Sequence, residues 1–338
     1  MKNQYLISIC IPSYNRPREL ERLLNSIDST ETDKLQIIVC EDNSPKRSEI
    51  SSVIEKFSLN NLYALKYFEN EKNLGHGGNL RECIKRADGE FIIFMGDDDM
   101  FIPGKLDNYI NFIKNNSESG YILRSSRQLL ENGHFEDFKY YSTDKRFEPG
   151  IKAYTDMFLK SVFMSGFTIK RSLINNISES SLDETLLFQL YLLAEVCLNH
   201  PSAYCNTPFV QGIGDGVSYF GINEKEKGLY TPGKLVTNNL NFISGFLKIT
   251  NFIDKKYKLN STEIIKTEMS KYSYPLMSNE RRLGRDKFLI HIKNLRNLGL
   301  DNTIYFNIYF LALLIFGDSF CKLIIRTTKR IIGRRINL

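Results

Sequence analysis

None of the six cysteines, Cys10, Cys40, Cys83, Cys197, Cys205 and Cys321, stands in a C-x-x-C pair. Several fall inside strand- or helix-like runs, where a reduced thiol behaves as a small hydrophobe. That spacing excludes a structural zinc and points to a reducing cytoplasm. The four histidines, His76, His134, His200 and His291, are dispersed without metal-ligand spacing. Only His76, inside a glycine-rich loop, is placed to touch phosphate. Two nucleotide fingerprints are missing as well. No G-x-x-x-x-G-K-[ST] occurs, which removes the P-loop NTPases, and GHGG follows the third strand-like run without forming G-x-G-x-x-G, so a dinucleotide Rossmann site is not expected. The first residues, MKNQYLISICIPSYNR, have too short an apolar run and too early a proline for a signal peptide.

What is present describes a water-facing globular chain. Its 338 residues are 42% apolar and 25% charged, with a net charge of only +6, enough for one large domain or two ordinary ones. From residue 5 to 99, strand-like and helix-like segments alternate: YLISICI, PRELERLLNSI, LQIIVCED, RSEISSVIEKF, ALKYFE, GNLRECIKRA and EFIIFM. Alternation at that spacing predicts an α/β fold with a mostly parallel sheet and helices on both faces. Ligands of such sheets bind at the carboxyl ends of the strands, so the loops there become candidate sites.

Those loops are chemically distinctive. After the first strand comes PSYNR, where Tyr14 can stack on a base and Asn15 and Arg16 can reach polar groups. After the second comes EDNS, with Asp42 able to accept bonds from a ribose or base. Before the third helix lies NLGHGGN, whose Gly75, Gly77 and Gly78 let backbone N–H groups approach an anion at a helix start. The fourth strand runs into three consecutive carboxylates, Asp97, Asp98 and Asp99. Like charges about 5 Å apart at an effective dielectric near 20 repel by roughly 3 kcal/mol per pair, so a positive group or water must answer them.

The ordered set SICIPSYNR, IIVCEDNSP, NLGHGG and ADGEFIIFMGDDD resembles the nucleotide-sugar-binding half of the family 2 inverting glycosyltransferases, over roughly residues 5 to 106. The resemblance implies the GT-A fold, a nucleoside-diphosphate sugar donor, and Mg²⁺ or Mn²⁺ as the positive charge. It implies a nucleotide-sugar pocket lined by Pro12, Tyr14, Asn15, Arg16, Asp42, Asn73, Gly75, His76 and Asp97, with the metal on Asp98 and Asp99. Gly96 stands where many relatives carry the first aspartate of L-D-x-D-D. A GT-A domain is expected over 1–230, with a nucleotide-sugar half at 1–106 and an acceptor half at 107–230.

An inverting transfer needs a carboxylate to take the proton from the acceptor hydroxyl. The resemblance places it after the strand-like VFMSGFTIKRSLI, at the start of the helix-like SLDETLLFQLYLLAEVCLNH, which gives Asp183 and Glu184 as candidates. The same acids before a helix also suit an N-terminal cap. Gln189, about one helical turn further on, is expected either to contact the acceptor or simply to be exposed. HPSAYCNTPFVQGIGDGVSYFG resembles a closing strand and a flexible lid with Gly212, Gly214 and Gly216; Asp215 within it is not expected to bind metal.

From 231 to 338 helical patterns dominate. TIYFNIYFLALLIFG, residues 303–317, is nearly all apolar, and Lys322, Arg326, Lys329, Arg330, Arg334 and Arg335 follow with no acid after Asp318. A helix of that length reaches about 22 Å, short of the roughly 30 Å hydrocarbon layer. Peripheral contact through 303–335 with the inner face of the cell membrane is therefore expected. No base-reading motif accompanies the tail, so nucleic acid is not expected as a partner. The expected activity is metal-dependent transfer of a sugar to a glycan acceptor, lipid-linked, in bacterial surface-polysaccharide synthesis. A sugar-nucleotide pyrophosphorylase would need a glycine- and arginine-rich loop where PSYNRPREL stands. A silent nucleotide-sugar-binding or scaffold protein would keep the fold without the base or the metal.

Overall fold

Strand β1 (Tyr5–Ser13) is buried along almost its whole length because its apolar residues face packing layers on both sides of a sheet. β2 (Leu35–Glu41), β3 (Ala64–Glu69) and β4 (Gly89–Phe94) join it in parallel, in the order β3-β2-β1-β4. The connecting helices are α1 (Pro17–Asn25), α2 (Arg47–Asn60) and α3 (Gly75–Arg86). α1 starts on Pro17, whose missing N–H costs nothing in a first turn. Ile9, Ile37, Ile93, Leu20 and Leu24 lie in one apolar core that welds these elements.

The computed structural model describes residues 4–130, 133–177, 179–215, 217–231 and 234–332. Two compact units divide the chain, Met1–Leu229 and Tyr230–Leu338. In the first, short β5 (Met100–Phe101) and α4 (Leu106–Asn115) follow the acidic triplet. Then come β6 (Tyr121–Arg124), β7 (Ser126–Leu129), β8 (Phe135–Phe138), β9 (Lys145–Phe147), α5 (Ile151–Phe158), β10 (Phe167–Lys170), α6 (Phe188–Asn199), β11 (Ser202–Cys205) and β12 (Val210–Gly212).

The large sheet continues as β4-β10-β6-β11-β9, and β5-β12-β7-β8 make a second, four-stranded sheet. The parallel half agrees with the sequence expectation, but beyond β4 the sheet is mixed, with β10 antiparallel to both neighbours. The reversal matters for function: the residues just before β10 arrive at the same edge that β1 and β4 leave.

The second unit is helical: α7 (Leu235–Tyr257), α8 (Ser261–Lys271), α9 (Tyr274–Arg282), α10 (Arg285–Asn297) and α11 (Ile304–Ile332). α8 and α9 are separate helices because Pro275 is tolerated only in a first turn and α9 restarts there. The apolar helix expected at 303–317 does not stop before Asp318. It bends at Gly317, whose φ of 76° breaks the regular backbone, and runs on to Ile332. Arg334 and Arg335 lie outside the described residues.

Gly89 begins β4 where a Cβ would come within 2.5 Å of the Ser8 backbone nitrogen. Gly89→Ala must push β4 away from β1, so it is expected to lower stability by about 1–3 kcal/mol, read as the midpoint shift in a urea melt.

Candidate active site

β1 and β4 lie side by side, so the segments leaving their carboxyl ends, Tyr14–Arg16 and Gly96–Asp99, emerge together. The Tyr14 backbone N–H donates to Asp97 at 3.1 Å, and the Arg16 guanidinium pairs with Asp97 at 2.6 Å and with Asp98 at 3.2 Å. Burial opposes the charge on Arg16, but the two aspartates outweigh it and raise its pKa. Burial pushes the Asp97 carboxyl up to about 6 even against the pull of Arg16. The acidic triplet is therefore gathered by the fold rather than splayed into water, and Arg16 answers much of its charge. Arg16 was expected as a pocket-lining residue; its pairing with the acids was not anticipated.

The three carboxylates have different surroundings. Asp99 is buried and accepts bonds from the Ser165 hydroxyl and the Ile213 backbone N–H, while Ser165 Oγ also receives the Gly96 N–H at 2.9 Å. Burial, reinforced by Asp98, drives the Asp99 carboxyl up to about 7. Asp98 keeps a partly exposed side chain with Arg16 as its ion-pair partner. Among the described residues, no group of three or more His, Cys, Asp or Glu side chains is arranged as a metal cage. A divalent ion held by one carboxylate, with phosphate and water oxygens completing its shell, fits Asp98.

A second cluster joins the ends of β2 and α3. Asp42 accepts bonds from Asn70 Nδ2 and from the Leu74 and Gly75 backbone N–H groups, and burial raises its pKa. Gly75 N–H also meets Asn73 Oδ1, and the His76 N–H donates to the buried carboxylate of Glu226 at 2.5 Å. Thus the helix-start N–H groups expected to face a ligand are held by the protein's own carboxylates. Burial raises the Tyr14 pKa and Asn73 pulls it back down, so the two clusters adjoin. Pro12 lies in β1 opposite Cys40, and Asn15 adopts a φ of 60°. Ser13 Oγ, Asn15 Oδ1 and Ser44 Oγ are buried polar atoms without a partner at this same edge, the pattern of a site built to receive polar ligand atoms.

The segment after β12 lies across these residues. Arg16 donates to the Val217 carbonyl, Arg22 of α1 pairs with Asp215 at 2.7 Å and donates to the Asp98 carbonyl, and Tyr219 packs edge-on against Tyr14 at 5.5 Å. Phe220 meets His76, and Glu226 also accepts the Gly221 N–H. Asp215, expected to be no metal ligand, is the partner of Arg22. Gly216 lies outside the described residues.

Asp183 and Glu184 occupy a short 3₁₀ turn, Asp183–Thr185, and Leu186 at φ 60° separates it from α6. They therefore do not cap α6, contrary to the capping expectation. Arg81 on α3 grips Asp183 through Nε at 2.8 and 2.9 Å, bonds the Ile177 and Glu179 carbonyls, and lies over the Phe188 ring. Gly77 permits this approach, since a Cβ there would fall 2.7 Å from the Asp183 Cα. Glu184 is exposed, and buried Gln189 donates to the Val162 carbonyl. Sequence reasoning missed Arg22, Arg81, Ser165 and Glu226. Only the position of Ser165 inside the strand-like run VFMSGFTIKRSLI offered a signal.

The mixed α/β sheet, with acidic and aromatic loops converging at the ends of its parallel strands, has the GT-A architecture. Residues 8–174 match the signature described as Glycosyl transferase family 2, and over that stretch the chain belongs to this family of glycosyltransferases. A similar protein is the abequosyltransferase RfbV of Salmonella typhimurium, 34% identical over 30% of each chain. Another is the GalNAc(5)-diNAcBac-PP-undecaprenol beta-1,3-glucosyltransferase of Campylobacter jejuni, 28% identical over 50% of this chain and 53% of that one. The chain matches between about a third and about a half of the length of these curated relatives. S. aureus TarS 1-349 in complex with UDP-GlcNAc shares the fold, with a TM-score of 0.53 at 13% identity over 90% of both chains.

Asp97 and Asp99 bind their protons more tightly in the fold than in the unfolded chain, at about 6 and about 7. Their contribution to stability is complete below the ordinary carboxylate range of about 4 and is lost as pH rises through those raised values. Asp99→Asn is expected to flatten the fall in melting temperature between about pH 5 and pH 8, measured by thermal unfolding of both proteins across that window.

Proposed function

We propose that this protein is a metal-dependent inverting glycosyltransferase that moves a sugar from a nucleoside-diphosphate donor to a lipid-linked glycan in bacterial surface-polysaccharide synthesis. The observation that carries the reading is the convergence of Asp97 and Asp98 on Tyr14 and Arg16, beside the unpartnered polar atoms of Ser13, Asn15 and Ser44. The names of the Salmonella and Campylobacter relatives support sugar transfer, the second to a diphospho-undecaprenol acceptor.

In this reading Tyr14 stacks on the base, and Asp42, Asn73, Gly75 and His76 shape the nucleoside end. Asp97, anchored by the Tyr14 N–H and Arg16, faces the ribose. Asp98 holds Mg²⁺ or Mn²⁺, which when bound neutralises charge on the departing diphosphate. Asp99, fixed by Ser165 and Ile213, sets the turn that presents Asp98. Arg16 and Arg22 already hold lid atoms and add positive charge beside the diphosphate. Asp183 takes the acceptor proton, because Arg81 and Gly77 hold its carboxylate in one place whereas Glu184 is unanchored. The acceptor's lipid places the work at the inner face of the cell membrane.

Screening UDP-, dTDP-, GDP- and CDP-sugars with Mn²⁺ should find one that stabilises the protein by about 2.7 kcal/mol at a hundred times its dissociation constant. EDTA and Asp98→Ala should abolish that gain. Asp183→Asn should keep donor binding and slow transfer by about 10²–10⁴-fold, with Glu184→Gln within about tenfold of wild type. The reverse order would move the base to Glu184, and donor binding without turnover on any acceptor would mark a silent binding protein.

A further inference from the structure

In the second unit, α11 carries an apolar stretch, Ile304–Ile325, whose 22 residues are long enough by composition to cross a membrane. Its two sides are not alike. Phe306, Leu313 and Cys321 are buried within the unit, where α11 packs on α8 and α9. Ile304, Ile308, Leu311, Ile315, Phe320 and Leu323 are between 47% and 70% exposed. Before the break at Gly317, the spacing of Ile304, Ile308, Leu311 and Ile315, three or four residues apart, traces one stripe along the helix.

The buried side is fastened by polar bonds in the middle of the stretch. The bend at Gly317 frees backbone groups, and Arg281 of α9 donates to the Leu313 carbonyl at 2.9 Å. One residue further, Asp318 accepts from the Ser278 hydroxyl of α9 and pairs with Lys322 at 2.8 Å. A helix crossing lipid would have to carry this arginine, aspartate and lysine through the hydrocarbon centre or tear them from α9, and either is costly. A helix lying along the surface keeps all of them on its protein side. The charge distribution selects the occupant of the other side. The chain after Asp318 has Lys322, Arg326, Lys329, Arg330, Arg334 and Arg335 and no acid, which suits anionic lipid headgroups and would repel a second copy of the same tail.

We propose that α11 is an in-plane membrane anchor: its exposed stripe enters one leaflet of an anionic bilayer while the Arg281 and Asp318 bonds hold its opposite side on α9. The inference deepens the reading above, on which it rests for the lipid-linked acceptor. The full chain should float with phosphatidylcholine vesicles containing phosphatidylglycerol, bind pure phosphatidylcholine weakly, and be released by alkaline carbonate. Leu311→Glu, at an exposed position, should cut binding more than about tenfold, and Lys329→Ala with Arg330→Ala about 25-fold at low salt, with unchanged melting curves. Three results would overturn the proposal: retention after carbonate, which marks a spanning helix; equal flotation of Leu311→Glu; or no vesicle binding together with a dimer that Leu311→Glu dissolves. Donor-induced stabilisation read on the same samples separates the two readings, since it can survive loss of vesicle binding or fail while vesicle binding persists.

Discussion

Arg16 stands between two aspartates at the edge of the sheet, and the surrounding arrangement follows from that contact. Three adjacent carboxylates at a strand end cannot stay gathered without a compensating charge. The guanidinium supplies it to Asp97 and Asp98, while hydrogen bonds from Ser165 and Ile213 hold Asp99. Because Arg16 follows β1 and the acids follow β4, the pairing of those two strands is what brings cation and anions together. The parallel half of the sheet is the mechanical frame of the site.

The neighbouring cluster obeys the same economy of charge. Asp42 and Glu226 take the N–H groups at the start of α3, where the helix dipole favours negative groups. Arg81, later on that helix, fixes Asp183. One helix thereby connects the Asp42 cluster to the carboxylate proposed to act on the acceptor, and Gly77 lets α3 and Asp183 approach.

The alternating strands and helices up to residue 99 were legible because hydrophobic period and loop chemistry agree there. The gathering of Tyr14 and the acidic triplet at one edge was expected as well, because both follow parallel strands that lie side by side. Ser165 was not, since it precedes an antiparallel strand, whereas the ligand edge of such a sheet is signalled by the ends of its parallel strands. Arg22 and Arg81 look like ordinary solvated residues on amphipathic helices until their partners, more than seventy residues away, are placed beside them. Asp183 and Glu184 read as a helix cap because nothing local signals the left-handed backbone at Leu186.

The segment after β12 is held at Ile213 and at Asp215 by bonds of different kinds. Its fastening to Arg22 through Asp215 is the half-exposed kind of ion pair that dissolved ions weaken, whereas its fastening through Ile213 to Asp99 is sheltered. The two fastenings therefore answer differently to the medium: rising ionic strength weakens the Asp215–Arg22 pair and leaves the Ile213–Asp99 bond in place.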